Sequence, residues 1–266
     1  MVSGRPFLEL AEGYKRLYAI GDLHGCLREL DSLINYLEQK EALSAADTLI
    51  FMGDYVDRGS KTRELVDFLI ALQSRYPLSI FLHGNHEEMM LRFIGEQGPL
   101  GWSWLENGGG QCLESYGAHP GMIIDQARTL FPPEHLAFFN NLERYVISDK
   151  YVFVHAGLDP LRDLRQQVDD DLFWIRSEFV TNIHHFEKTV VFGHTPYHDV
   201  MFHLPYKIGV DTALVYGNCL SCIELTNQQV FQVASGKRKV TTATFAQKAS
   251  LPIRPYHGKR RGIFGF

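Results

Sequence analysis

The sequence predicts an α/β fold: a sheet with parallel neighbours, covered by helices. Two observations carry this. Short apolar runs alternate with segments of helical period through the first third of the chain. Each run also ends in a Gly-containing turn that holds Asp, Asn or His, as the carboxyl ends of strands do in open α/β sheets. A β-α-β-α-β order requires parallel strands and helical crossovers.

The elements follow in order. Leu17–Ile20 reads as a strand, and Leu27–Gln39 as a helix with Leu27, Leu30, Ile34 and Leu37 on one face. Thr48–Met52 is the second strand. Ser60 is placed to cap a helix running to about Arg75, with Leu65, Phe68, Leu69 and Leu72 inward. Pro77 stops that helix, and Leu78–Leu82 is the third strand. Tyr145–Ser148 and Tyr151–Val154 flank Asp149-Lys150 as a hairpin. Thr189–Phe192, Lys207–Val210, Leu220–Leu225 and Val230–Val233 complete a strand-rich second half.

The chain is expected to form one domain over residues 1–266. Residues 95–144, rich in Gly, Trp and Asn, read as a covering insertion, with a loop at Gly108–Gly110 and a short helix over Pro132–Asn140. Residues 248–266 read as a basic surface tail. With 266 residues, 45% apolar and 21% charged, the chain has the composition of a globular protein. A net charge of −5 gives no reason to expect nucleic-acid binding. No apolar run is long enough to cross a membrane, and the N-terminus lacks a signal-peptide pattern, so a cytoplasmic location is expected. Cys219 and Cys222 stand alone as a C-x-x-C in a strand and read as buried thiols. His83 reads as structural, and Trp102 and Trp104 as cover for the core.

Five strand ends carry the chemistry: Gly21-Asp22-Leu23-His24-Gly25, Gly53-Asp54-Tyr55-Val56-Asp57-Arg58-Gly59, Gly84-Asn85-His86-Glu87, His155-Ala156-Gly157 and Gly193-His194-Thr195. If they converge, Asp22, His24, Asp54, Asn85, His155 and His194 form one set of metal ligands. Six such ligands exceed what one catalytic zinc uses. They suit two ions about 3.5–4 Å apart that share a carboxylate, with Asp54 as the bridge. Two divalent ions against two carboxylates leave positive charge, which suits a phosphate ester. The ions would also acidify a water into a nucleophile near neutral pH. A mixed His, carboxylate and amide set favours Mn, with Fe, Zn or Co as alternatives, over Ca or Mg. His86, beside Asn85, is placed as a general acid oriented by Asp57, and Arg58 as a bidentate phosphate ligand.

GDLHG, GDYVDRG, GNHEE, HAG at 155–157 and GHT at 193–195 together resemble the phosphoprotein phosphatase family of calcineurin-like dinuclear metallophosphoesterases. The likeness is greatest to the bacterial and bacteriophage serine/threonine phosphatases. It implies a calcineurin-like metallophosphoesterase sandwich of two mixed β-sheets flanked by helices. It also implies Asp22, His24 and Asp54 on one metal, and Asp54, Asn85, His155 and His194 on the other. FWIRSE at 173–178 resembles the segment that holds a second phosphate arginine, Arg176. GVDTALVYG at 209–217 resembles a D-T-G-x-x-Y/F-G stretch, with Ala213 where Gly is usual, and makes Tyr216 a site-lining residue.

The function expected on this resemblance is metal-dependent hydrolysis of phosphoserine and phosphothreonine in a protein or peptide. The alternative is hydrolysis of a small phosphorylated molecule or of a dinucleoside polyphosphate. A phosphoprotein-docking module without activity is the third reading, opposed by the presence of every ligand and the acid.

Overall fold

The strands at Leu17–Ile20 and Thr48–Phe51 are buried at every position and need two covered faces, and the structure supplies both. The computed structural model describes residues 7–11, 13–95, 99–119 and 124–256. Strands β1 (Leu8–Glu9), β2 (Leu17–Ile20), β3 (Thr48–Phe51), β4 (Ile80–Phe81), β5 (Tyr145–Ile147), β6 (Tyr151–Val154), β7 (Thr189–Phe192), β8 (Met201–His203), β9 (Lys207–Gly209), β10 (Cys219–Glu224), β11 (Gln229–Ala234) and β12 (Val240–Thr244) form two mixed six-stranded sheets. One has the order β1-β5-β6-β7-β9-β8 and the other β12-β11-β10-β2-β3-β4. The α/β sandwich that the sequence implied is therefore present.

Side-chain alternation decides what each face covers. Leu17, Ala19, Ile50 and Met52 of the second sheet meet Val146, Phe153, Val191 and Ile208 of the first in one buried cluster, which fills the space between the sheets. Their neighbours Tyr18, Ile20, Leu49 and Phe51 point the other way. There they pack under helices α1 (Leu27–Lys40) and α2 (Thr62–Arg75). Each buried CH₂ in such a layer contributes about 0.8 kcal/mol, so the layers hold the strand ends in register.

The β2-β3-β4 ladder is parallel, as the βαβαβ pattern requires, and β6-β7 is parallel in the other sheet. All five predicted strand ends thus open toward the same edge. The chain departs from expectation in several places. Ser60 does not cap α2, which begins at Thr62 with Lys61 before it and no side-chain cap. The reason is close packing: a Cβ on Gly59 would stand 2.1 Å from the His24 carbonyl oxygen, so the turn through Ser60 stays pressed on the neighbouring loop. The Gly108–Gly110 triplet is not a loop. It lies in a π-helical turn, Leu105–Gly109, that runs into the helix Gly110–Ser115, with only Gly108 left-handed at φ 104°. Gly109 sits under the Trp104 indole, where a Cβ would lie 2.5 Å from the ring. Gly108 and Gly109 serve packing, against Arg58 and Trp104. The helix predicted near Pro132 runs from Pro133 to Asn140. Strands β1, β8 and β12 were not read from the sequence. They are edge strands; β1 and β8 are two and three residues long, too short for a period to show, and β12 is mostly Thr and Ala. The tail expected at 248–266 lies outside the described residues beyond Tyr256; up to there it docks on the body, with Tyr197 bridged to Pro255.

Candidate metal centre

The strand-end turns bring their polar side chains to one cavity of about 100 Å³. Asp22, His24, Asp54, Arg58, Asn85, His86, Arg176, His194 and Tyr216 all line it, so nine of the predicted residues share one surface. His155 lies just beneath, its Nε2 3.3 Å from Asp54 Oδ1. Asp57 stands behind His86 and is fully buried.

The backbone is bent to do this. His24, Asp54, Asp57, Arg58 and His194 have φ between 42° and 73°, a left-handed region that costs non-glycine residues energy. Strain of this kind persists where surrounding contacts over-determine it. Here Glu87 is the clamp. It opens helix α3 (Asn85–Gly95), and its carboxylate accepts N–H bonds from Asp54 at 2.9 Å, Tyr55 at 2.8 Å, Val56 at 3.1 Å and Gly84 at 3.1 Å. Burial, then the Asp54 charge, pushes the Glu87 pKa up to about 8, and the backbone donors pull against this. All four contacts are donors, which an ionised carboxylate satisfies and a protonated one does not. Gly84 is the one residue that fits below: a Cβ there would meet Asp54 Oδ1 at 2.3 Å.

The donor set fits cations. His155 Nδ1 lies 2.7 Å from the Met52 carbonyl, which can only accept, so Nδ1 carries the proton. Its Nε2 then presents a lone pair 3.0 Å from Asn85 Oδ1, another acceptor. His24 is held the same way, with Nδ1 2.8 Å from the Val56 carbonyl. Burial, then Arg58, lowers the His24 pKa to about 3, and burial lowers that of His155 as well. Both rings are therefore neutral, as metal-ligating histidines must be. Asp22 Oδ1 and His194 Nε2 are buried without a hydrogen-bond partner. Lone pairs facing one another with no proton between them call for a positive ion.

Two groups meet a metal-sized spacing: His24, Asp54 and His86, and Asp54, His155 and His194. Asp54 belongs to both, as a bridging carboxylate would. Burial opposes its charge, yet the surrounding histidines His155, His86, His24 and His194 hold its pKa below the usual range. Asp22 falls outside both groups. Its Oδ2 accepts the His194 N–H at 3.0 Å, while burial and the charges of Asp211 and Asp54 push its pKa well up. His86, placed as the acid, stands within the same spacing of His24 and Asp54, and Asp22 lines the cavity beside them.

The His86–Asp57 pair forms as expected: Nδ1 to Oδ2 is 2.5 Å. Burial, and after it Glu87, pushes Asp57 up, while burial pushes His86 well down. Both directions leave one proton held in that short bond. Trp104 supplies what sequence reading missed. Its indole N–H stands 2.7 and 2.8 Å from the two Asp57 oxygens, so it orients the carboxylate in addition to covering the core. Only its place among Gly-rich residues of the insertion was visible in sequence. Arg58 Nη1 lies 2.6 Å from His24 Nε2, and its guanidinium carbon 5.4 Å from the Tyr216 ring centre. Arg176 Nη1 donates to the His194 carbonyl at 3.0 Å, which aims it at the cavity.

Asp211 was also missed. It is buried, lines the cavity, and has its pKa pushed up to about 6 by burial; the Ala213 N–H opposes this and the Asp54 charge adds to it. The signal was present, because Asp211 closely follows the end of β9 as the other acids follow their strands. His83 stacks on Phe173 at 4.7 Å, consistent with a structural role. Cys219 and Cys222 are free thiols. Trp102 is exposed, against the expectation that it covers the core; its neighbour Phe93 touches it only at an edge.

The profile of calcineurin-like phosphoesterases matches residues 15–219, which contain every residue that lines the cavity. The chain belongs to the calcineurin-like phosphoesterase family. This phosphoesterase is 24% identical over 238 residues to the asymmetrical bis(5'-nucleosyl)-tetraphosphatase PrpE of Anoxybacillus flavithermus, covering 81% of this chain and 93% of the relative. It is 30% identical over 189 residues to serine/threonine-protein phosphatase 2 of Salmonella typhimurium, covering 68% and 80%. Among solved structures, one described as a candidate diadenosine tetraphosphatase superposes with a TM-score of 0.64 at 22% identity, covering 86% of this chain and 97% of that one. The chain is thus a metal-dependent phosphoesterase with relatives of two substrate classes. Among the described residues no helix is long and apolar enough to cross a membrane.

Proposed function

We propose that this phosphoesterase hydrolyses dinucleoside polyphosphates. One observation carries the choice. The likeness to the asymmetrical tetraphosphatases runs over 81% of this chain, against 68% for the Salmonella protein phosphatase. The reading thus places the alternative of the sequence analysis ahead of the phosphoserine and phosphothreonine reading.

Asp22, His24, Asp54, Asn85, His155 and His194 would hold two divalent ions, Mn²⁺ by preference, with Asp54 common to both. When bound, such ions supply Lewis-acid charge that acidifies water and neutralises phosphate oxygens. The chain's own residues do the rest. Arg58 and Arg176 approach the cavity from opposite loops and grip the non-bridging oxygens, and Asn85 offers its amide beside them. His86 keeps Nδ1 on Asp57 and presents Nε2 to the leaving oxygen as acid. In the reaction, a water oxygen bonds to phosphorus and releases one proton to solvent, the P–O bond to the leaving group breaks at the same phosphorus, and the leaving oxygen departs as an anion or takes the His86 proton, which solvent then restores. A polyphosphate leaving group is already a stable anion, so it needs that proton less than a serine alkoxide does. Tyr216 lies on the rim beside Arg58.

One observation favours the second reading. The Asp57–His86 acid pair is intact, and a serine or threonine leaving group makes the fullest use of it. Chelator-treated protein reloaded with Mn²⁺ distinguishes the two. We expect a higher kcat/KM on diadenosine tetraphosphate than on a phosphothreonine peptide. A peptide value tenfold above the nucleotide value would replace the proposal with the protein-phosphatase reading.

A further inference from the structure

The cavity at the metal centre is small, about 100 Å³, and its phosphate-facing residues give way to Tyr216 at the rim. That rim is built unusually. Tyr216 is 51% exposed, although it stands in a short 3-10 turn, Leu214–Tyr216, that lines the site. Its ring begins where Arg58 ends. Behind it stands a second tyrosine, Tyr256, with ring centres 6.4 Å apart and planes inclined by only 23°.

Tyr256 reaches this position by a strap. His198 N–H donates to the Arg254 carbonyl at 2.9 Å, and Tyr256 N–H to the Pro196 carbonyl at 2.9 Å. The Tyr197–Pro255 bridge lies between them. Pro196 itself lines the cavity. The His198 ring packs on Tyr256 at 4.8 Å, and the Tyr256 hydroxyl donates to the Tyr216 carbonyl at 3.0 Å. The chain therefore spends its last described residues fixing one aromatic ring beside another at the mouth of a phosphate site.

We infer that Tyr216 and Tyr256 form a stacking platform for the nucleobase of a nucleoside polyphosphate; this rests on the nucleotide reading of the site. The order of groups matches such a substrate. Phosphate meets the arginines, and the half-exposed Tyr216 ring, with Arg58 over it and Tyr256 beside it, stands next in line. Bases stack on aromatic faces with little regard to sequence, and losing one such face weakens binding by about tenfold or more. A phosphoseryl residue carries no flat group next to its phosphate and gains nothing from this surface. Arg58 joins the two parts, since it reaches toward the metal-site histidine and rests on the Tyr216 ring at once. Tyr256 acts on the substrate through Tyr216, which it stacks on and hydrogen-bonds, so it is a positioning and specificity residue.

The test uses the full chain loaded with Mn²⁺, with diadenosine tetraphosphate and inorganic tripolyphosphate as paired substrates. Tyr256→Leu is expected to raise the ratio of the two KM values, nucleotide over tripolyphosphate, about tenfold. Tyr256→Phe keeps the ring and should raise it less than threefold. Fluorescence quenching of a non-hydrolysable ethenoadenosine polyphosphate gives a binding readout independent of turnover, and its Kd should weaken in parallel. Tyr216→Leu provides a second variant if Tyr256→Leu folds poorly, with the same expected direction. A wild-type chain that cleaves the nucleotide, with ratios unchanged in both leucine variants, would overturn the platform and leave the functional reading in place. A wild-type chain that cleaves only the phosphothreonine peptide would overturn the functional reading and the platform with it.

Discussion

Trp104 shows how much one side chain outside the cavity controls within it. Its indole N–H meets both oxygens of Asp57, whose carboxylate in turn holds His86 Nδ1. Trp104→Phe keeps the ring volume and removes the donor. We expect kcat to fall about tenfold, as when a supporting hydrogen bond is lost, with KM little changed. A urea melt should show a loss of about 1–3 kcal/mol from the unsatisfied carboxylate. The single residues that sequence showed well were those whose chemistry is local to a strand end: Asp22, His24, Asp54, Asn85, His86, His155 and His194 all reach one place. Trp104 and Glu87 were harder, because their partners are 47 and 31–33 positions away and depend on how the insertion and the loops pack. Asp211 was legible too, because it follows β9 as the other acids follow their strands.

At the level of elements, the turn from Gly53 to Gly59 is the part under tension. It holds Asp54, Asp57 and Arg58 in left-handed backbone, and the first turn of α3 restrains it through Glu87. Glu87→Gln substitutes an amide that can accept at only one end, so at least one N–H pair faces a donor. We predict a stability loss of about 3 kcal/mol by chemical denaturation, together with loss of metal affinity. An unchanged denaturation midpoint would show that the turn holds its shape without the clamp. The βαβαβ half was readable because four-residue apolar runs and 14-residue amphipathic helices give clean periods. The start of α2 was not, because tertiary contact at Gly59 overrides the capping preference of Ser60. The edge strands β1 and β8 lacked a pattern because two and three residues are too few to show a period.

Across the whole molecule, stability should show a pH signature separate from the site. Arg16 Nε and Nη2 bind the buried Asp47 at 3.0 and 2.8 Å, and the Ser44 N–H adds a bond at 2.7 Å. Burial alone would raise the Asp47 pKa, but Arg16 and Ser44 outweigh it and hold it below the ordinary carboxylate value. A depressed folded pKa means that the contribution is complete above the unfolded value near 4 and is lost as pH falls through the folded one. Asp47→Asn should therefore cost about 1–3 kcal/mol at pH 7, and the gap to wild type should close below about pH 4 in thermal melts. The two-sheet sandwich unites this outlying pair with the site, since β2 and β3 start near Asp47 and end at Asp22 and Asp54. That union, strand ends from two sheets meeting around one shared carboxylate, is the central claim. Metal analysis of chains equilibrated with Mn²⁺ tests it most directly. The wild type should retain two ions per chain, and Asp54→Asn should lose both together, because Asp54 stands in both ligand groups. A variant that keeps one ion at full occupancy would contradict the shared site.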